Sequence, residues 1–352
     1  MVNGKFFVWI WLAGLIILQP ALGCARQVVS CDSLFLWRDG TARQAITGFV
    51  RKVTDPEDAA YVPPQDRIVT IDLDGTLVCE RPLPLGMLIA ETLLREAAAA
   101  PQLQGRQPFD AARQDGLKRM RRDHFELFFG LSGAGFEEQA FRARLQTLVR
   151  DQRHPRFDLP YRELFYRPML QLVDYLLRHD FIVYVLSGSD QTLVRLLCAE
   201  QPELAALPPV RFIGTLVALD VDFASGKPVY YRLARELEPV NLRRGKALNI
   251  VYRIGQYPIL AIGNSDGDCA MLAATHAAPY PATLRLLLHH DDAEREYAYG
   301  AAGKTISCQG NGEAGLCRDL AGDDIVDISM KRDFLQVFAT GEAGAAYWEP
   351  EK

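Results

Sequence analysis

Asp72 and Asp74 lie two positions apart in the segment IDLDGTL (71–77), which directly follows RIVT (67–70). Alternate residues of a strand point to the same side, so both carboxylates can face one site. Two like charges at a buried strand end repel each other and raise each other's pKa. A bound cation relieves that repulsion, and carboxylate, carbonyl and water oxygens suit Mg²⁺. The spacing therefore predicts a Mg²⁺ site that attracts an anionic substrate.

Polar clusters follow two further apolar runs that have the character of buried strands. They are Ser187 after FIVYVL (181–186), and Asn264, Asp266 and Asp268 after PILAIG (258–263). In open parallel sheets, ligands bind beyond the carboxyl ends of the strands. We therefore expect all three clusters to meet at one edge of a sheet.

Each cluster alone has an ordinary explanation, such as a solvated turn, a surface lysine at a helix start or an acidic loop. Together, and in this order, they fit one task. Ser187 and the backbone amides after it can cradle phosphoryl oxygens, and Lys246 can neutralise the charge that develops on them. A carboxylate nucleophile, a second carboxylate, Mg²⁺ and a lysine indicate phosphoryl transfer through an aspartyl-phosphate.

The order of elements predicts an α/β fold with a Rossmann-like parallel sheet and helices on both faces. The helical segments are 41–55, 166–180 and 245–254, and the buried strands are 67–72, 181–190 and 258–268. The segment 211–233 alternates in polarity and contains SGKP, which predicts a hairpin. Such alternation of helices and near-continuous apolar strands is typical of a sheet buried on both faces.

The ordered motifs resemble those of a known family. DLDGT (72–76), Ser187, Lys246 in RRGKALNI and GNSDGDCAML (263–272) resemble the four motifs of the haloacid dehalogenase-like hydrolase superfamily. Together with the last of these, HPRFDLPYRELFYRPMLQLVDYL (154–176) and HHDDAEREYAY (289–299) resemble a phosphoserine phosphatase-like group of exported bacterial phosphatases. The similarity extends from about Trp37 to Phe338.

The resemblance implies a role for each matching residue. Asp72 would be the nucleophile, and Asp74 would protonate the leaving oxygen and later activate water. An aspartate at position 74 favours phosphatase over dehalogenase chemistry, because a phosphate ester leaving group needs a proton. The residues implied in phosphate binding are Gly75, Thr76, Ser187, Gly188 and Lys246. The residues implied in metal binding are Asp72, Asp74, Asn264, Asp266 and Asp268.

One position departs from the family pattern. The fourth motif usually begins Gly-Asp, and here Asn264 stands in place of that metal-binding aspartate. Asparagine can ligate through its carbonyl oxygen, but it brings no charge. Asp266 either supplies the missing carboxylate or faces Lys246, and Asp268 aligns with the last acid of the motif. Asn264 and Asp266 therefore stay alternatives as the direct ligand.

The resemblance also divides the chain. Residues 37–80 and 167–340 would form the α/β core, and 81–166 an inserted helical cap that closes over the site and excludes water. Glu80 lies near the place where related enzymes put an acid that binds the substrate's amino group; a solvated glutamate at a helix start is the competing interpretation. Adjacent His289 and His290 point apart on a strand or loop, which favours a structural role over metal binding.

The N-terminus predicts export. Lys5 precedes the apolar run FFVWIWLAGLIIL (6–18), and small residues follow Pro20, which is the layout of a signal peptide over residues 1–23. ALGC (21–24) resembles a lipoprotein box, although Ala21 stands where leucine is usual. Either Cys24 is acylated and anchors the protein to a membrane, or an ordinary cleavage releases a soluble periplasmic protein.

Composition limits the partners. The formal net charge of −5 gives no general attraction to nucleic acid. The motifs for phosphoryl transfer predict a small phosphorylated metabolite as the partner. Cys308 and Cys317 either close a small disulfide or remain free thiols. No feature of the sequence fixes an oligomeric state.

The sequence thus predicts an exported, Mg²⁺-dependent phosphatase of small phosphomonoesters, with phosphoserine-like compounds as one option. A phosphotransferase would use the same intermediate and pass the phosphoryl group to an alcohol. A lipoprotein that kept the fold as a binding module and lost turnover is the alternative from another class.

Overall fold

A computed structural model describes residues 34–99, 128–299 and 325–339. The predicted signal peptide (1–23), Cys24, Cys308 and Cys317 lie outside these residues. Among the helices of the described part, none is long and apolar enough to span a membrane.

The described α-helices are Thr41–Thr54 (α1), Leu85–Ala99 (α2), Phe128–Ser132 (α3), Glu138–Asp151 (α4), Arg167–Arg178 (α5), Gln191–Cys198 (α6), Pro202–Ala205 (α7), Arg244–Asn249 (α8), Cys269–Ala273 (α9) and Met330–Asp333 (α10). A π-helical turn, Ile250–Ile254, continues α8. Short 3₁₀ turns cover Pro64–Asp66, Tyr161–Glu163, Pro209–Arg211, Asp266–Asp268 and Ala274–Ala277. The described strands are Ile68–Asp72 (β1), Ile182–Asp190 (β2), Phe212–Thr215 (β3), Val217–Asp222 (β4), Val229–Glu236 (β5), Leu260–Gly263 (β6), Leu284–His289 (β7) and Ile325–Ser329 (β8).

Six strands form one sheet in the order β3-β2-β1-β6-β7-β8. Every neighbouring pair is parallel. The first motif strand, β1, lies in the middle, with Val69 opposite Val183 of β2 and Leu260 of β6. Because all six strands run the same way, their carboxyl ends share one edge, which confirms the predicted parallel α/β sheet.

Both faces of the sheet are covered by helices. Leu260 and Ile262 of β6 belong to the main hydrophobic core, which also contains the buried residues of α1 and α5. Ala261, between them, packs on Cys269 and Leu272 of α9. Successive strand residues point to opposite faces, so the continuous apolar run of β6 buries both. This confirms the prediction of helices on either side.

The predicted hairpin is shorter than the segment 211–233 suggests. Phe212–Thr215 is instead a strand of the main sheet, with Phe212 opposite Val185 of β2. Phe212 and Ile213 are both buried, as expected of a strand covered on two faces. The hairpin itself is confirmed and consists of β4 and β5, which pair antiparallel.

Helices within residues 81–166 share the main core. Leu85 and Ile89 of α2, and Phe141 and Leu145 of α4, pack in the same hydrophobic cluster as β1 and β2. Arg232 of the hairpin joins this layer through ion pairs with Glu138 of α4 and Asp190 of β2. A separate cap over 81–166 stays a prediction, because residues 100–127 lie outside the described part.

Candidate active site

The ends of β1 and β2 bring the first two motifs together. The strands pair side by side up to Asp72 and Leu186, and Leu73 N donates to Leu186 O at 3.1 Å. The next residue of β2 is Ser187, whose hydroxyl donates to Oδ2 of Asp74 at 2.8 Å. Parallel register therefore accounts for a contact between residues 113 positions apart in sequence.

The end of β2 is fixed by hydrogen bonds to its backbone. Asn241 Nδ2 donates to Ser187 O at 2.9 Å, and Thr215 Oγ1 donates to Gly188 O at 2.8 Å. Ser189 N donates to Ser187 Oγ at 3.0 Å, and Ser189 Oγ lies 3.4 Å from Asp74 Oδ2. Ser187, predicted to bind phosphate together with its neighbour Gly188, thus lies beside Asp74.

Lys246, on α8, is buried between two carboxylates. Its Nζ donates to Oδ1 of Asp72 and to Oδ1 of Asp268, the latter at 2.6 Å. Burial alone would lower the pKa of Lys246, but the Asp268 and Asp72 carboxylates outweigh it and raise that pKa. The lysine therefore stays charged at neutral pH, which is the state that binds phosphoryl oxygens.

Asp72 is buried and makes contacts through both of its carboxylate oxygens. Oδ1 accepts from Lys246, and Oδ2 accepts from the Thr76 hydroxyl at 2.9 Å. Burial raises the pKa of Asp72, and the nearby Asp268 carboxylate raises it further, whereas Lys246 lowers it. Lys246 thus favours the ionised form that a nucleophile requires.

Asp74 lies in a different environment from Asp72. Burial raises the pKa of Asp74, while the hydrogen bond from Ser187 and the charge of Lys246 act in the opposite direction. A carboxyl group with a raised pKa keeps its proton to higher pH and can donate it to a leaving group. The two aspartates differ in the group that contacts them, since an ammonium donates to Asp72 and a hydroxyl donates to Asp74.

Gly75 occupies a position that only glycine fits. Its φ is +83°, and a Cβ would lie 2.1 Å from Asn264 Nδ2 and 2.6 Å from Glu80 Oε1. Gly75 N donates to Val78 O at 2.8 Å, which closes the turn after β1. The close approach brings the first and fourth motifs into contact.

The fourth motif places its three polar residues differently. Asn264 Oδ1 accepts from Thr76 Oγ1 at 3.3 Å. Asp268 uses both oxygens within the chain: Oδ1 on Lys246, and Oδ2 on the backbone N–H groups of Asn264 and Ser265, each at 3.1 Å. Asp266 is partly exposed, and its side chain makes no hydrogen bond or ion pair with another residue in the described ranges.

The donors present fit Mg²⁺ better than a softer metal. Within the described ranges, no cluster of three or more His, Cys, Asp and Glu side chains is arranged to hold a metal. The candidate donors are oxygens of Asp72 and Asn264, which share the Thr76 hydroxyl as hydrogen-bond donor. Mg²⁺ prefers oxygen and keeps several waters, so a few protein oxygens suffice.

Glu80 lies inside the site. Its Oε1 accepts from Asn264 Nδ2 at 3.0 Å and from the Tyr299 hydroxyl at 2.8 Å. Burial raises the pKa of Glu80, which the hydrogen bond from Tyr299 opposes. These contacts differ from those expected of a solvated glutamate at a helix start, the competing interpretation.

Sequence reasoning missed the support that HHDDAEREYAY (289–299) gives to the first motif. His290 lies with Nε2 2.7 Å from Gly75 O and Nδ1 3.1 Å from Oε2 of the fully buried Glu296. His289 turns away to Asp327, at 2.6 Å, so the adjacent histidines have separate partners. The accumulation of acids and histidines in this segment was the available signal.

The chain belongs to the haloacid dehalogenase-like hydrolase family, whose model matches residues 69–273. It is therefore a hydrolase of that family, with the four motifs gathered at the carboxyl edge of its sheet. No curated protein matches the chain.

Several solved structures are similar to the chain. A conserved protein of unknown function from Anaerococcus prevotii is 15% identical, with 73% of this chain and 87% of that one covered and a TM-score of 0.48. A phosphoserine phosphohydrolase-like protein from Francisella tularensis is 12% identical over 76% of this chain and 95% of that one, with a TM-score of 0.39. A cytosolic 5'-nucleotidase bound to cytidine is 14% identical over 72% of this chain and 80% of that one, also with a TM-score of 0.39.

Proposed function

We propose that this hydrolase is a Mg²⁺-dependent phosphatase that cleaves small phosphomonoesters through an aspartyl-phosphate on Asp72. The observation that carries the proposal is the placement of Lys246 on Asp72 beside the Ser187–Asp74 hydrogen bond. A nucleophile, an acid, a cation and a hydroxyl donor thus lie at one strand edge, as phosphoryl transfer requires.

In the first step, an Asp72 oxygen attacks phosphorus, and the bond from phosphorus to the ester oxygen breaks. The leaving oxygen takes the proton of Asp74, whose raised pKa supports that role. Lys246 and the Ser187 hydroxyl offset the charge on the phosphoryl oxygens, and Thr76 and the backbone around Gly75 and Gly188 position the group.

In the second step, the Asp74 carboxylate takes a proton from water, and the water oxygen attacks the phosphorus of the aspartyl-phosphate. The bond between phosphorus and Asp72 breaks, which releases inorganic phosphate and restores both aspartates to their starting states. Water is the acceptor in a phosphatase, and an alcohol would be the acceptor in a phosphotransferase.

The residues that would hold Mg²⁺ are Asp72, Asn264 and the predicted ligand Asp74, with Asp266 as the alternative carboxylate. When bound, the cation supplies positive charge that offsets the acidic pair and the incoming phosphate. Asp268 accepts hydrogen bonds from Lys246 and from the backbone N–H of Asn264, and so fixes the positions of both residues.

Export remains part of the proposal. The signal-like N-terminus supports it. We propose a periplasmic enzyme, anchored to a membrane if Cys24 is acylated, that acts on a small phosphorylated metabolite.

The test is hydrolysis of p-nitrophenyl phosphate by the mature chain with and without Mg²⁺, beside Asp72→Asn and the exposed control Asp220→Asn. We expect Mg²⁺-dependent turnover that falls at least about 10³-fold in Asp72→Asn and is unchanged in the control. Phosphoryl transfer to added glycerol would favour the phosphotransferase. Absence of turnover on a panel of phosphomonoesters would favour the binding module.

A further inference from the structure

The amide of Asn264 is oriented by a carboxylate. Its Nδ2 donates to Glu80 Oε1 at 3.0 Å, which leaves Oδ1 on the side of Thr76, at 3.3 Å from that hydroxyl. Thr76 in turn donates to Asp72. Glu80 therefore fixes which end of the amide lies beside the nucleophile, and that end is the carbonyl oxygen, the one able to bind a cation.

Glu80 also differs from the other acids of the site in its partners. Asp72 and Asp268 both bind the ammonium of Lys246, so part of their charge is offset. The hydrogen bonds of Glu80 within the described ranges come from a neutral amide and a neutral phenol. No cation donates a hydrogen bond to Glu80 within those ranges, although the nearby charges of His290 and Arg81 favour its ionised form.

We propose that Glu80 acts through Asn264 as one unit in cation binding, supplying the negative charge that the amide lacks. This inference rests on the proposed Mg²⁺ site. A carboxylate bonded to the donor end of a ligand orients it and makes its ligating atom more basic, as carboxylates do for metal-bound histidines. Consecutive hydrogen bonds in a chain also polarise one another.

The surroundings of Glu80 hold it in place for this role. The Tyr299 hydroxyl that donates to Glu80 belongs to a ring stacked on His290, with ring centroids 4.2 Å apart. The guanidinium of Arg81 also packs on the Tyr299 ring, 4.2 Å from its centroid. Gly75 packs against the Glu80–Asn264 pair so closely that a Cβ at this position would strike both side chains.

The test is direct titration of the metal-free chain with Mg²⁺ by calorimetry, and with Mn²⁺ by electron paramagnetic resonance. Glu80→Gln keeps an acceptor oxygen for Asn264 but removes the charge. We expect it to weaken binding of both ions about 10- to 100-fold. Tyr299→Phe, which frees Glu80 to move, should weaken binding by a smaller factor.

A double-mutant cycle separates this role from a direct one. Asn264→Asp brings a carboxylate of its own, which faces Glu80 as a like charge. In that background Glu80→Gln should no longer weaken binding. Glu57→Gln, at an exposed position, is the matched control and should bind as the wild type does. Thermal unfolding without metal verifies that each variant is folded.

Three outcomes oppose the inference and are distinguishable. Equal affinity of Glu80→Gln and the wild type would show that the charge of Glu80 has no part in cation binding. An equal loss in both backgrounds would show that Glu80 acts independently of Asn264. A wild type that binds neither ion would overturn the proposed Mg²⁺ site itself, and this inference with it.

Discussion

The ammonium nitrogen of Lys246 lies 2.6 Å from Oδ1 of Asp268, and both side chains are almost fully buried. The same nitrogen reaches Asp72, so the last acid of the fourth motif sets the position of the lysine against the nucleophile. The three residues form one buried charge cluster, in which each member depends on the others for compensation.

Lys246→Met should therefore cost stability as well as activity. Removing one partner of a buried ion pair leaves an uncompensated charge, and typically lowers the free energy of unfolding by about 3–5 kcal/mol. Urea denaturation measures the loss. The double variant Lys246→Met/Asp268→Asn should regain part of it, and the exposed Lys331→Met should change little. A double variant less stable than the single one would contradict the cluster.

Ser187→Ala should change the pH dependence of turnover. The Ser187 hydroxyl bonds to the ionised form of Asp74 and so lowers its pKa, against the larger effect of burial. Without it the pKa of Asp74 rises, and the acid keeps its proton to higher pH. We expect the alkaline limb of kcat/KM to move to higher pH while the maximum falls about 10-fold or more. The control Ser225→Ala should leave the profile unchanged. An alkaline limb that does not move in Ser187→Ala would exclude Asp74 as the acid.

Gly75→Ala and Gly255→Ala form a matched pair. Both glycines have positive φ, +83° and +76°, so alanine costs about 1–2 kcal/mol of backbone strain at either. Only at Gly75 does the new Cβ strike other groups, Asn264 and Glu80. We expect a larger loss of stability in Gly75→Ala than in Gly255→Ala, and a fall in turnover, about 100-fold, in Gly75→Ala alone. Unfolding curves and kinetics on both variants test this, and equal turnover would contradict it.

Glu236 should make stability depend on pH. Burial raises the pKa of Glu236 to about 7, although backbone N–H groups of Phe129 and Gly130 donate to it. The folded state thus binds this proton more tightly than the unfolded state, and stability falls as pH rises from about 4.5 to 7. When the pH is raised from 5 to 8, we expect the free energy of unfolding of Glu236→Gln to fall by roughly 2 kcal/mol less than that of the wild type. Denaturation curves of both proteins, with Glu57→Gln as control, decide this; parallel pH profiles would refute it.

Much of the fold and the core of the site could be predicted from local pattern. The apolar runs before Asp72, Ser187 and Asn264 have the period and length of buried strands, and each proved to be one. Once the strands are parallel, their ends share an edge, so the meeting of Asp74 with Ser187 follows from the fold class.

Other contacts depend on tertiary structure that a local pattern does not contain. Tyr299 donates to Glu80 across 219 positions, and His290 approaches Gly75 across 215, with no periodicity to mark either pair. The polarity pattern continues across Leu216, so the sequence does not separate the strand Phe212–Thr215 from the hairpin. Pairing with β2 does separate them. The order of the strands in the sheet likewise depends on the connections between them, which the residue pattern of one strand does not reveal.

The long crossover between β1 and the later strands has a consequence for the order in which the protein is made. Asp72 meets its lysine 174 positions later, and Glu80 meets its tyrosine 219 positions later. Contacts so distant in sequence form only after the intervening chain exists. A nascent chain therefore carries its acidic pair without a compensating cation until Lys246 has been synthesised. Catalytic competence must therefore wait for residues that are synthesised long after the nucleophile.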